Sequence, residues 1–236
     1  DCTSCIDACE AGALVLDAQP HPVVATDETV LVAPTPLLGQ FGSGPGPREV
    51  MKALHSMGFD HVRVSLEWEQ ALRDAVWAYA RDEAKLRPIL SPVCPAVINL
   101  IQLRFPSLMA QVAPFVTPIE AAREELRVPH VAFVPVCPSQ ETLLTPPSPP
   151  TRLEVMEPSA FRNTVAARLA GHRRNPDWPV QQGPAEDVFA VSGIRHVIRV
   201  LDAIENGEME DCGVVELYAC DQGCFGSPVW NEPAFL

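Results

Sequence analysis

Eight cysteines stand at positions 2, 5, 9, 94, 137, 212, 220 and 224. Two stretches crowd them. "DCTSCIDACEAGAL" holds Cys2, Cys5 and Cys9, and "ACDQGCFGSP" holds Cys220 and Cys224 around a turn of small residues. Thiolates at two- and three-residue gaps ligate metal ions and iron–sulfur clusters. In a short secreted chain the same count would read as four disulfides. A chain of 236 residues buries enough core to do without such staples. The expectation is a reducing compartment, the cytoplasm, with thiols that hold a metal or a cluster.

The N-terminal trio has the form C-x2-C-x3-C. It matches the end of the bacterial ferredoxin run C-x2-C-x2-C-x3-C-P, with Glu10 where proline is usual and "AGAL" following. The first cysteine of such a run would fall before Asp1, as expected of a chain that starts inside the motif. A 4Fe–4S cluster, zinc and unliganded thiols are the alternatives for this trio.

The elements that must place the remaining cysteines follow from hydrophobic periodicity. "TVLVAP", "HVRVSL", "RPILSPVC", "HVAFVPVC" and "CGVVELYAC" read as strands. Pro47 opens a helix through "REVMKALHSMGF", and "EWEQALRDAVWAYARDEA" is a long amphipathic helix. Pro95 starts another over "PAVINLIQLRF". "PIEAAREEL" and "PSQETLL" are shorter helices. "SAFRNTVAARLAGH" takes Ser159 as N-cap, and "SGIRHVIRVLDAIENGE" takes Ser192 as N-cap and Gly207 as stop. "TPPSPPTR" reads as a polyproline-type linker, and residues 171–187 as irregular. Strands alternate with helices, so the class is α/β with mostly parallel sheets.

Cys94, Cys137 and Cys220 each fall at the carboxyl end of a predicted strand, just before a turn or helix. In open α/β sheets that is where ligands bind. With Cys224 they make four thiolates able to converge, a set that suits a 4Fe–4S cubane or a tetrahedral zinc. Helix N-termini behind them would favour thiolate charge.

Several separated segments resemble, in order, the catalytic domain of iron-only (FeFe) hydrogenases. "VLVAPTPL" and "REVMKALHSMGFDHVRVSL" resemble its opening. "ILSPVCPAVINLIQLRFPSL", "VAFVPVCPSQ" and "VVELYACDQGCFGSP" resemble its three cysteine signatures, and "AVSGIRHVIRVLDAIENGEME" the helix before the last. The resemblance spans roughly residues 28–228 and is nearest to the sensory or otherwise divergent branches. It implies two lobes with parallel sheets flanked by helices, and a cluster site between them. Cys94, Cys137, Cys220 and Cys224 would hold the cubane, with Cys224 bridging to a two-iron subsite bearing CO and cyanide. Ala33 and Pro34 would border that subsite. Cys2, Cys5 and Cys9 would hold an accessory cluster, in a partial ferredoxin-like segment over 1–20 ahead of a hydrogenase-like domain over 21–236.

The chain departs from that pattern at named positions. Val93 stands where efficient hydrogenases have a second, proton-passing cysteine. Gln140 replaces a lysine that binds cyanide, Tyr218 a methionine, and Asp221-Gln222 the usual Pro-Gly or Gly-Gly. Glu216 matches a glutamate of the family, and is equally readable as a satisfied polar residue of a strand.

The resemblance therefore implies an iron–sulfur redox protein that senses hydrogen or redox state, with weak hydrogen turnover. The alternative is a non-catalytic 4Fe–4S interaction or signalling module without the two-iron subsite. Expected partners are a redox protein or a fused signalling domain, with hydrogen as the small molecule. The net charge of −13 argues against nucleic acid and anionic membranes. No apolar run is long enough to span a bilayer. "GQFGSGPG" lacks the ending of a phosphate loop, the six histidines show no ligand spacing, and Cys212 reads as a structural thiol.

Overall fold

Among the described residues, seven short parallel strands in two separate sheets organise the fold. The computed structural model describes residues 28–41, 45–82, 86–144, 152–169 and 188–230. The first sheet has the order β2-β1-β4-β5, with β1 Thr29–Ala33, β2 His61–Val64, β4 His130–Phe133 and β5 Arg152–Val155. The second has the order β3-β7-β6, with β3 Ile89–Leu90, β6 Val188–Ser192 and β7 Val214–Tyr218. Every ladder is parallel, with Leu31 opposite Val62 and Ala132 in one sheet and Leu90 opposite Val215 in the other.

Parallel neighbours need crossovers, and seven helices supply or extend them. They are α1 Pro47–Ser56, α2 Leu66–Ala80, α3 Pro95–Arg104, α4 Pro118–Glu125, α5 Pro138–Leu143, α6 Pro158–Leu169 and α7 Ile194–Glu205. Five of them begin on proline, which fixes φ for the first turn and gives up an N–H that has no intrahelical partner there. Five of the chain's 25 prolines thus start helices. Thr117 closes a capping box on α4, with its hydroxyl accepting from the Glu120 amide while the Glu120 carboxylate accepts from the Thr117 amide.

The chain crosses between the sheets repeatedly. β1-α1-β2 lie in the first, α2 leads to β3 and α3 in the second, and α4 leads back to β4, α5, β5 and α6. β6, α7 and β7 complete the second sheet. Each sheet is covered on both faces. Leu31, Ala132, Val50, Leu54, Phe161 and Val165 join the first sheet to α1 and α6. Val97, Ile101, Val197, Leu201, Val215 and Leu217 join the second to α3 and α7. Helix α2 belongs to both sheets: its Trp68 packs with Phe133 and Ile119, and its Leu72 and Val76 pack with Ile89 and Val214. After the last cysteine the chain returns to the first lobe, where Trp230 is wholly buried with Phe161 and Leu31.

The α/β reading with parallel sheets, helices and two lobes holds. Four details differ. β3 covers only Ile89–Leu90, so Cys94 lies beyond a turn and not at the strand's last residue. β5 and β6 replace part of the expected linker and helix. Ser192 is the last residue of β6, and Gly193, at φ 89°, stands ahead of α7. Ser159 lies inside the first turn of α6, whose free amides at Ser159 and Ala160 donate to the Glu157 carboxylate. The expected N-terminal segment and the irregular run 171–187 lie outside the described residues.

Candidate cluster site

Cys94 and Cys137 are placed by the same local device. Each precedes a proline that starts a helix, Pro95 of α3 and Pro138 of α5. A residue before proline is pushed to extended backbone, and both are extended, at φ −116° ψ 110° and φ −161° ψ 164°. Their carbonyls turn into the helices: Cys94 accepts from the amides of Val97 and Ile98, and Cys137 from those of Gln140 and Glu141.

Cys220 and Cys224 sit on the loop after β7. Gln222 and Gly223 are both left-handed, at φ 62° and 65°. Two such residues in succession reverse the chain into a 3-10 turn over Gly223–Gly226. Gly226 is required, because a Cβ there would fall 1.6 Å from the Asp221 carbonyl oxygen. The amide of Gly193 donates to the carbonyls of Tyr218 and Cys220, 3.0 Å each, and so ties the start of this loop to α7.

Cys94, Cys137, Cys220 and Cys224 line one small void of about 20 Å³, together with Gln140, Tyr218 and Ser227. Three segments far apart in sequence thus bring four thiols to one place. Burial, then the neighbouring Cys94, pushes the Cys137 thiol up to about 11. Burial, then Cys94, Cys137, Glu69 and Cys220, pushes Cys224 well above the ordinary thiol value. Cys137 and Cys224 thus hold their protons until a positive centre takes their place. Among the described residues, no three of His, Cys, Asp and Glu are placed to hold a single metal ion.

A second cavity, of about 410 Å³, opens at the carboxyl ends of the strands of both sheets. Cys224, Gln140, Tyr218 and Gly223 line both spaces, so Cys224 stands in the wall between them. Pro34 and Val93 line the larger cavity. Ala33 does not. It is fully buried in the first core, and its carbonyl accepts from the Ser65 amide. Gln140 is oriented by the backbone: its Oε1 accepts from the Val136 amide at 2.9 Å, which leaves its Nε2 to donate. Cys2, Cys5 and Cys9 lie outside the described residues. Cys212 packs against the α3–α7 core and stands apart from the four, as expected.

Two carboxylates line the larger cavity: Glu69, which escapes the motif reading, and Glu216, which the resemblance picks out. Glu69 of α2 accepts from the hydroxyls of Thr35, at 3.0 Å, and Ser65, at 2.6 Å. Arg73, one turn on, donates through Nε to Glu216 at 3.2 Å, and Tyr218 Oη donates to the same carboxylate at 3.1 Å. Glu216 is only 5% exposed, so it is a satisfied buried carboxylate. Burial, ahead of the Glu216 charge, pushes the Tyr218 phenol above its usual range. The sequence carries a signal for both. Glu69 lies beside the buried ridge Trp68–Leu72–Val76 of α2, and Glu216 interrupts a strand buried on both faces.

No protein-family model and no curated protein sequence matches the chain. Solved structures do. An FeFe-hydrogenase described in work on oxygen inactivation through the two-iron subcluster of the H cluster superposes with TM-score 0.59. It is 14% identical, over 91% of this chain and 83% of that one. A hydrogenase structure described as revealing stepwise H-cluster assembly gives 0.55 at 12% identity, over 88% and 81%. A variant FeFe-hydrogenase from Chlamydomonas reinhardtii gives 0.54 at 13%, over 91% and 83%. At such identities the likeness is one of fold, and the chain has an FeFe-hydrogenase-like α/β fold.

Proposed function

We propose that the chain is an iron–sulfur redox protein of the FeFe-hydrogenase type, in which Cys94, Cys137, Cys220 and Cys224 hold a 4Fe–4S cluster. The observation that carries this reading is the single void shared by those four thiols. The donor set fits the group: four sulfurs, Cys94 buried and the other three partly so, share one wall, and the Ser227 and Tyr218 hydroxyls beside them are committed to Val136 and Glu216. The void has room for about one water, so the four side chains must spread to admit a cluster.

Cys224, which lines both spaces, is the residue that would hold a two-iron subsite as well as the cubane. When bound, that group would supply the oxidation of hydrogen to two protons and two electrons. The protein surrounds it with Pro34, the donating Nε2 of Gln140 and the alkyl group of Val93. Val93 can neither accept nor donate a proton at the position where a relay is needed. The consequence is weak turnover, and use of the site to sense hydrogen or redox state. Cys2, Cys5 and Cys9, in a ferredoxin-like segment over 1–20, form an accessory cluster that passes electrons to a redox partner or a fused signalling domain. The cytoplasm suits exposed reduced thiols. No described helix is long and apolar enough to cross a membrane.

A second reading keeps only the cubane and serves as a signalling or interaction module. The uncharged Gln140, and a Tyr218 hydroxyl already committed to Glu216, favour it. Infrared spectroscopy with iron and sulfide analysis decides, on protein made anaerobically with the hydrogenase maturation system. CO and cyanide bands support the first reading. Iron and sulfide without those bands support the second, and a protein with neither overturns both.

A further inference from the structure

Ser227 lies three residues beyond Cys224 and is 0% exposed. All of its polar groups are engaged. Its amide donates to the Cys224 carbonyl at 3.3 Å, and its carbonyl accepts from the Trp230 amide at 2.9 Å. Its hydroxyl donates to the Val136 carbonyl at 2.7 Å, across 91 residues of sequence. Val136 O belongs to the peptide bond that enters Cys137. The other side of that residue is also held, because the Val136 amide donates to Gln140 Oε1. Ser227 itself lines the four-thiol void.

We propose that Ser227 is a positioning residue: its hydroxyl clasps the Cys137 loop to the Cys220–Cys224 loop and sets the separation of their thiols. The clasp is anchored from behind by Trp230 in the first core, and Gly226 lets the loop fold tightly enough for Ser227 to reach. It joins an element that follows the first sheet to one that follows the second. Among the described residues no backbone ladder links the two sheets, and the clasp adds to the packing of α2 on both in bringing their cysteines to one site. The inference rests on the reading that these cysteines act as one ligand set.

The test compares Ser227→Ala with Ser159→Ala in the full chain. Ser159 makes a similar bond on the same tail, its hydroxyl donating to the Val229 carbonyl at 3.0 Å, but touches neither cysteine loop. Alkylation of the metal-free protein by iodoacetamide, followed by mass spectrometry at each cysteine, reads the loops directly. Loss of a buried hydrogen bond should raise local opening, and so the labelling rate of Cys137, about tenfold in Ser227→Ala. Ser159→Ala should stay near the wild-type rate. In protein reconstituted with iron and sulfide, the reduced-cluster electron paramagnetic resonance of Ser227→Ala should shift, and that of Ser159→Ala should not. An unchanged Cys137 rate in Ser227→Ala, or an equal rise in both variants, overturns the clasp. Failure of the wild type to take up iron and sulfide overturns the cluster reading instead, while the labelling comparison still decides the role of Ser227.

Discussion

The thiols of Cys94 and Cys137 come from two proline-started helices and meet at one void, where a charge on either disfavours a charge on the other. The metal-free, reduced protein should therefore lose stability in alkali. A thiol at 9.0 in its ordinary state and about 11 when folded binds its proton more tightly in the native state. Its contribution is fully present below the unfolded value and is lost as pH rises through the folded one. From Cys137 alone the loss should reach about 2–3 kcal/mol, and Cys224 acts in the same direction. Urea midpoints of the metal-free protein across this range measure it. A flat profile would show that the thiols are not packed together as described.

Arg73 holds the buried Glu216 carboxylate against the second sheet. Removing one partner of a buried pair strands the other charge. The Arg73 side chain is 47% exposed, so solvent compensates part of the loss, and Arg73→Ala should cost about 2 kcal/mol. Glu216→Gln keeps an acceptor for Tyr218 and should cost about half as much. Thermal unfolding of both variants checks the order. A cost for Arg73→Ala within about 0.5 kcal/mol of zero would mean that the pair is solvated and does not join α2 to β7.

How much of this is legible in sequence depends on the kind of signal. β1, β2, β4 and β7 announce themselves by β-branched runs, and five helices by proline at the start. The placement of Cys94 and Cys137 follows from the Cys-Pro pairs alone. β5 is hidden because "RLEV" is half charged and follows a proline run. β6 is hidden because "VFAVS" is an edge strand with Phe189 and Ala190 exposed, flush against a strong helix. The four-cysteine set was found by position and by resemblance. The Ser227 clasp was not, since a serine hydroxyl bound to a carbonyl 91 residues away leaves no pattern in either segment. Glu216 was picked out by resemblance, and Glu69 was readable in principle, as a charge beside a buried ridge.

Gln222 adopts φ 62° without being glycine. A side chain in the left-handed region costs about 1 kcal/mol or more, part of which a glycine would return as unfolded-state entropy. Gln222→Gly should therefore stabilise the metal-free protein by about 0.5–1 kcal/mol, read as a higher urea midpoint at unchanged slope. Lower stability in the variant would mean that the Gln222 side chain, at the edge of the larger cavity, makes contacts worth more than the strain.

Val93 lines the larger cavity beside Cys94 and packs on both cores of the second lobe. A cysteine there is close to valine in volume, so the substitution should cost under about 1.5 kcal/mol and leave the fold intact. What it adds is a group that can donate and accept a proton at the cavity wall. General acid–base groups contribute about a hundredfold or more to a reaction step. If proton transfer is what limits hydrogen turnover, Val93→Cys should raise it by that order. The comparison needs wild type and variant matured together, with infrared band intensities showing equal loading of the two-iron subsite. Stronger turnover in the variant would identify the alkyl group as the block. Equal turnover at equal loading would place the limitation elsewhere, with Gln140 and Tyr218 as the next positions to exchange.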